Sequence, residues 1–184
     1  MDLPARSGWR PDSSRCTLSP DPSRRERRMN SIRVEAIPSL VADRIRRDRA
    51  DGHGNTNLQP IRVDEQPGYI CRHCLEDPAV GESVYLFSYS PFGAPVPYRS
   101  VGPIFVHTTP CPRYERTGEL PRSLRHRLLS LRAYRSDDFL VQADVVPGTD
   151  ADQLLAHFFD DPEVAYVDIH NARPGCFNCR VLRA

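Results

Sequence analysis

Two Cys-x-x-Cys pairs hold the residue types best able to do chemistry in this chain. Cys71 and Cys74 stand in GYICRHCLEDP, and Cys176 and Cys179 in PGCFNCRV. Thiolates at this spacing can turn toward one ion, and two such pairs can supply a four-thiolate tetrahedral zinc site. Neither pair has the Pro after the first Cys and the Gly after the second that usually mark a zinc knuckle; Leu75 and Arg180 follow the second cysteines. Residues i and i+3 of an extended strand also point to opposite faces, so CFNC can ligate only if Gly175 holds it in a turn. His73, His107 and Cys111 bring the possible ligands to seven for four places.

The same residues allow other chemistry. CRHC has the spacing of thiol oxidoreductases, in which a helix N-terminus and a neighbouring cation lower one thiol pKa. Arg72 and His73 supply positive charge, but Glu76, Asp77 and Pro78 follow and no helical pattern continues. Cys71 or Cys74 with His107 would make a Cys–His nucleophile pair, with His107 as base. His107 ends an apolar run, GPIFVH, beyond a Pro/Gly-rich loop that carries Tyr98 and Arg99. A ligand-binding role is therefore expected for Arg72, His73, Tyr98 and His107. The bland alternative is that the thiols pack as small buried hydrophobes. Asp168 and His170, two apart on one strand, share a face.

The composition bounds what these residues can serve. The chain has 184 residues, 39% apolar and 27% charged, with a formal net charge of +1. All 25 basic residues are Arg, a bias better explained by a GC-rich coding sequence than by phosphate binding. So small a net charge gives no electrostatic case for a nucleic-acid partner. No window approaches the roughly 18 apolar residues of a membrane helix, so no membrane partner is expected. Residues 1–28 hold seven Arg, four acids and almost no aliphatic side chains, and read as a disordered leader or a mis-assigned start before Met29. SRRERR has no apolar stretch behind it, so a secretory signal and a disulfide framework are not expected. Cys16 falls in this leader.

The elements that must position the cysteines follow from hydrophobic periodicity. IRVEAI alternates as a first strand, and PSLVADRIRRDRA opens a helix at Pro38 with Leu40, Val41 and Ile45 on one face. Its arginines read as a solvated face, with Asp43–Arg47 and Arg44–Asp48 as i,i+4 pairs. IRVDE, ESVYLFSYSPF and GPIFVH are strands, separated by loops rich in Gly, Asn and Pro. LPRSLRHR gives one or two helical turns. LLSLRAYR and DFLVQADVV form a hairpin turned at Ser136-Asp137-Asp138. Thr149 and Asp152 have capping-box spacing before a helix that buries Leu154, Leu155, Phe158 and Phe159. VAYVDIHNAR and a last short strand turn at Pro174-Gly175. The expectation is one α+β domain over residues 29–184, a mostly antiparallel sheet with two or three helices.

At CRHCL (71–75), GPIFVH (102–107) and LRAYR…ADVV (131–146) the chain resembles an uncharacterised bacterial family, domain of unknown function 1203, over about residues 60–182. The resemblance implies a compact cytoplasmic bacterial domain, transfers no catalytic residue, and marks Cys71, Arg72, His73, Cys74 and His107. The combined reading is a small binding or accessory domain with a Cys/His cluster, stapled by zinc through Cys71, Cys74, Cys176 and Cys179. The rivals are a small thiol or Cys–His enzyme and an interaction domain with inert cysteines. Substrate, partner and oligomeric state are not legible.

Overall fold

A computed structural model describes residues 32–184; the leader expected over 1–28, with Met29, lies outside them. Among the described residues are nine strands in two antiparallel sheets and three helices, an α+β domain. β1 (Ile32–Glu35) starts the chain and α1 (Ser39–Asp48) follows. β2 (Ile61–Arg62), β3 (Ser83–Tyr89) and β4 (Gly102–His107) make the small sheet, in that order. β5 (Glu115–Thr117), α2 (Arg122–Arg125), β6 (Leu128–Tyr134), β7 (Leu140–Pro147), α3 (Ala151–Phe158), β8 (Tyr166–Asn171) and β9 (Phe177–Arg183) complete the fold. The large sheet runs β5-β1-β9-β8-β6-β7. Because β5 pairs with β1, the chain leaves the large sheet at Glu35, builds the small sheet, and returns at Glu115, the residue directly opposite Glu35.

Period-2 alternation divides the large sheet. Leu129, Leu131 and Ala133 of β6, Val167 and Ile169 of β8, and Cys179 and Val181 of β9 pack with Leu154, Leu155 and Phe158 of α3 in the main core. The intervening residues Arg132, Tyr134, Tyr166, Asp168, His170 and Arg180 take the other face. There Tyr134 and Tyr166 stack at 5.2 Å between ring centroids, and Phe92 packs against them from the proline-rich loop. A register shift between Ile169 and His170 leaves Asn178 as the extra residue of a bulge. That bulge turns Phe177 away from the main core, into the cluster formed by α1, Cys71, Cys74, Tyr85, Phe87, Ile104 and Val106.

Several expectations are corrected locally. α1 buries Ile45 and packs Val41 beside it as expected, but the third inward residue is Ala42, and Leu40 is 79% exposed. The capping box does not form: Thr149 Oγ1 donates to Asp150 and Asp152 pairs with Arg125 at 2.8 Å. β5 has the polar sequence ERT and carries no apolar alternation for a reader to find. The hairpin does turn at residues 136–138, with the Arg135 N–H on the Phe139 carbonyl at 2.9 Å. Gly175, at φ 75°, makes the expected turn between β8 and β9. No helix among the described residues is long and apolar enough to cross a membrane.

Candidate metal centre

CRHC forms a single turn rather than the start of a helix. The Leu75 N–H reaches the Cys71 carbonyl at 2.8 Å, and Leu75 takes a left-handed φ of 55°. Backbone contacts then tie this turn to three other segments. The Arg72 N–H donates to the Phe105 carbonyl at 2.8 Å, the Ile37 N–H to the Arg72 carbonyl at 3.0 Å, and the Tyr114 N–H to the His73 carbonyl at 2.9 Å. These fix the end of β4, the approach to α1 and the proline-flanked loop 108–113 around the turn. His107, the last residue of β4, and Cys111 in that loop are thereby brought beside Cys71 and Cys74.

One ligand atom from each of Cys71, Cys74, His107 and Cys111 lies within 4.8 Å of all the others. Cys71 Sγ is 3.9 Å from Cys111 Sγ, and Cys74 Sγ is 3.5 Å from His107 Nδ1. A tetrahedral ion with Zn–S of about 2.3 Å and Zn–N of about 2.05 Å has S···S edges of about 3.8 Å and S···N edges of about 3.6 Å. The two distances match these edges. The group can hold a metal ion.

Its surroundings suit an anionic thiolate cluster. The His107 N–H points at Cys71 Sγ, 3.5 Å away. Arg46 donates through Nη2 to Cys111 Sγ at 3.2 Å and through Nε to the His107 carbonyl at 3.1 Å. Nε2 of His107 lies 3.7 Å from Glu82 Oε2, the outward carboxylate that orients many ligating histidines. His73 stands just behind, with Nδ1 3.3 Å from Cys111 Sγ and Nε2 3.0 Å from Ser39 Oγ.

The charges respond to this crowding. Hydrogen bonds from Cys111 and then Cys74 hold Cys71 far below the ordinary thiol range. Cys74 is pushed up by its contacts with Cys111 and Cys71 and by burial. The Cys111 and Cys71 sulfurs raise His107 to about 10. Burial, followed by the charge of Arg46, lowers His73. The directions at Cys71 and His107 both favour a thiolate at Cys71 beside a protonated His107.

The four-thiolate set of Cys71, Cys74, Cys176 and Cys179 is corrected. Cys179 lies within β9 and is fully buried in the main core beside Val181 and Ile169. Cys176 precedes the strand, with its thiol toward the Pro174 carbonyl at 3.9 Å. Cys179 faces the main core while Cys176 stays in the turn before the strand, and neither joins the cluster. Arg72 is buried, with Nε donating to the Phe177 carbonyl at 2.8 Å and Nη1 to the Ile70 carbonyl at 2.5 Å. Tyr98 packs on Tyr134 and Phe139 at 6.2 and 6.0 Å, by the β6–β7 hairpin and outside the cluster. Arg46 was not legible as a site residue; its place in an Arg-rich helix reads as solvated surface, yet its side chain is only 10% exposed.

No curated protein and no solved structure matches the chain. One family model does match, over residues 68–183, a span that contains all four donors of the cluster, and the chain belongs to that family, described as a protein of unknown function (DUF1203).

Proposed function

We propose that Cys71, Cys74, His107 and Cys111 form a structural zinc site in a small binding or accessory domain. The observation that carries this reading is the match of the S···S and S···N separations, 3.9 and 3.5 Å, to the edges of a tetrahedron. Three thiolates favour a soft or borderline ion, and a Cys₃His tetrahedron is a usual structural zinc set. Four protein donors complete the coordination and leave no position for water, so the ion would staple the fold and perform no hydrolysis. Three thiolates and a neutral imidazole around Zn²⁺ leave one negative charge, which Arg46 faces at Cys111.

Elemental analysis of protein purified without chelator tests the reading. About one zinc per chain is expected, lost in Cys111→Ser and kept in Cys176→Ser. Absence of metal from well-folded protein, or equal loss in both variants, sinks it. The Cys74–His107 contact also favours a second reading, a Cys–His nucleophile. Cys71 at 0% and Cys74 at 8% exposure are poorly placed for attack on a substrate. Rapid alkylation of one of these thiols in metal-replete protein would support the enzyme reading over zinc.

A further inference from the structure

His170 of β8 poses a separate problem. It is 2% exposed, and its Nε2 is buried with no hydrogen-bond partner. Its Nδ1 lies 2.9 Å from the Gly175 carbonyl. A carbonyl only accepts, so Nδ1 carries the proton and Nε2 of the neutral ring is a bare lone pair. Neutral is the resting form, because burial and the fields of Arg132, Arg72 and Arg180 push this imidazole down to about 4. Beside it, the bulge residue Asn178 is fully buried and its Oδ1 is likewise without a partner. Two buried acceptors thus lack a donor, at the full desolvation cost of each.

Positive charge is in excess at the same place. Arg132 sits opposite Asp168, and Ser130 opposite His170, in the β6–β8 pairing. Arg132 and His170 are therefore diagonal neighbours on one face, within reach of a long side chain. Asp168 is already engaged, since both its oxygens accept from Arg180 at 2.7 and 2.9 Å. Arg132 is left with the Tyr134 side chain as its hydrogen-bond partner and a share of the Asp168 field. Arg72, bonded to the carbonyl of Phe177, which is the cross-strand partner of His170, hydrogen-bonds among the described residues only to carbonyls, with Cys176, Cys71 and Asp77 in its wider field. Three guanidiniums thus stand around one imidazole, opposed by two carboxylates, Asp168 and the more distant Asp138.

We propose that Arg132 and His170 bind a small oxyanion that also carries a hydroxyl, its charged oxygens on Arg132 and its O–H donated to His170 Nε2. A plain carboxylate would satisfy Arg132 and leave Nε2 unfilled. Hydrogenphosphate and an α-hydroxycarboxylate share the required chemistry. Arg132 is half-buried and His170 buried, so solvent meets this face at Arg132.

Calorimetric titration of the full chain with inorganic phosphate, glycolate and acetate, at an ionic strength fixed with chloride, tests this. Saturable binding of phosphate or glycolate is expected, and the tighter of the two identifies the source of the oxyanion. Acetate should bind about tenfold more weakly, the equivalent of one hydrogen bond. Arg132→Gln should weaken binding at least about tenfold while leaving metal content unchanged, and the His170 Nε2 nitrogen resonance of the unsubstituted protein should move on saturation. Three results would overturn the proposal: no saturable binding by any of the three anions, acetate equal to glycolate, or an unmoved Nε2 resonance. The first is the outcome if water alone fills the space.

Discussion

Arg46 shows how much one side chain can do beside a metal-binding group. It holds Asp43 through Nη1 at 2.9 Å, while its other two nitrogens face Cys111 and the His107 carbonyl. A thiolate cluster with a net negative charge is stabilised by a cation at this distance, in a setting mostly removed from solvent. Loss of such an outer partner typically weakens metal binding by about 10–100-fold. Arg46→Ala is therefore expected to speed zinc transfer to a chromogenic chelator by about that factor, and Arg46→Lys to recover part of it; equal rates in all three proteins would remove the role assigned to Arg46. At this scale the donors were partly legible. CRHC, His107 and Cys111 could all be named as ligands, but their grouping could not, because it depends on β4 ending beside the CRHC turn. Cys176 and Cys179 mislead for the opposite reason: their spacing is right, but one stays in the β8–β9 turn and the other is buried in the main core.

Among the elements, the junction before α3 is the least tolerant. The Gly148 N–H donates to the Arg127 carbonyl at 2.7 Å. A Cβ placed on Gly148 would stand 1.9 Å from the Leu124 carbonyl oxygen, a backbone atom that cannot swing aside. Gly148→Ala must push α2 and the turn apart, with an expected loss of about 2–3 kcal/mol. Urea unfolding reads this as a lower midpoint at unchanged slope, and a wild-type midpoint would contradict the packing described. Elements with strong apolar alternation were legible: β1, β3, β4, the β6–β7 hairpin, β8 and β9 all fall where periodicity puts them. β5 was not, since ERT is held by pairing with β1 across a long sequence gap and not by any pattern of its own. Leu40 of the α1 stripe was misjudged because Pro38 and the CRHC turn set the rotation of the helix, and a local pattern does not contain that contact.

For the whole molecule, Glu35 and Glu115 stand opposite each other although 36–114 lies between them. That intervening stretch carries α1, the small sheet and all four residues of the group that can hold a metal ion. The large sheet is made from residues on either side of it, while the α3 core also takes Ala36, Ile70, Leu75 and Tyr114 from the stretch itself. Such an excursion, with its two ends already held together, can open as one cooperative unit if Ile70 and Leu75 are drawn out of that core. In hydrogen exchange, chelation is expected to shorten amide protection across β3 and β4 while β6 and β8 keep theirs; uniform loss over both sheets would mean one indivisible unit. An occupied site would then lengthen the lifetime of this half of the structure, making metal supply, as well as overall stability, a quantity that decides when α1 and the small sheet are open to a protease.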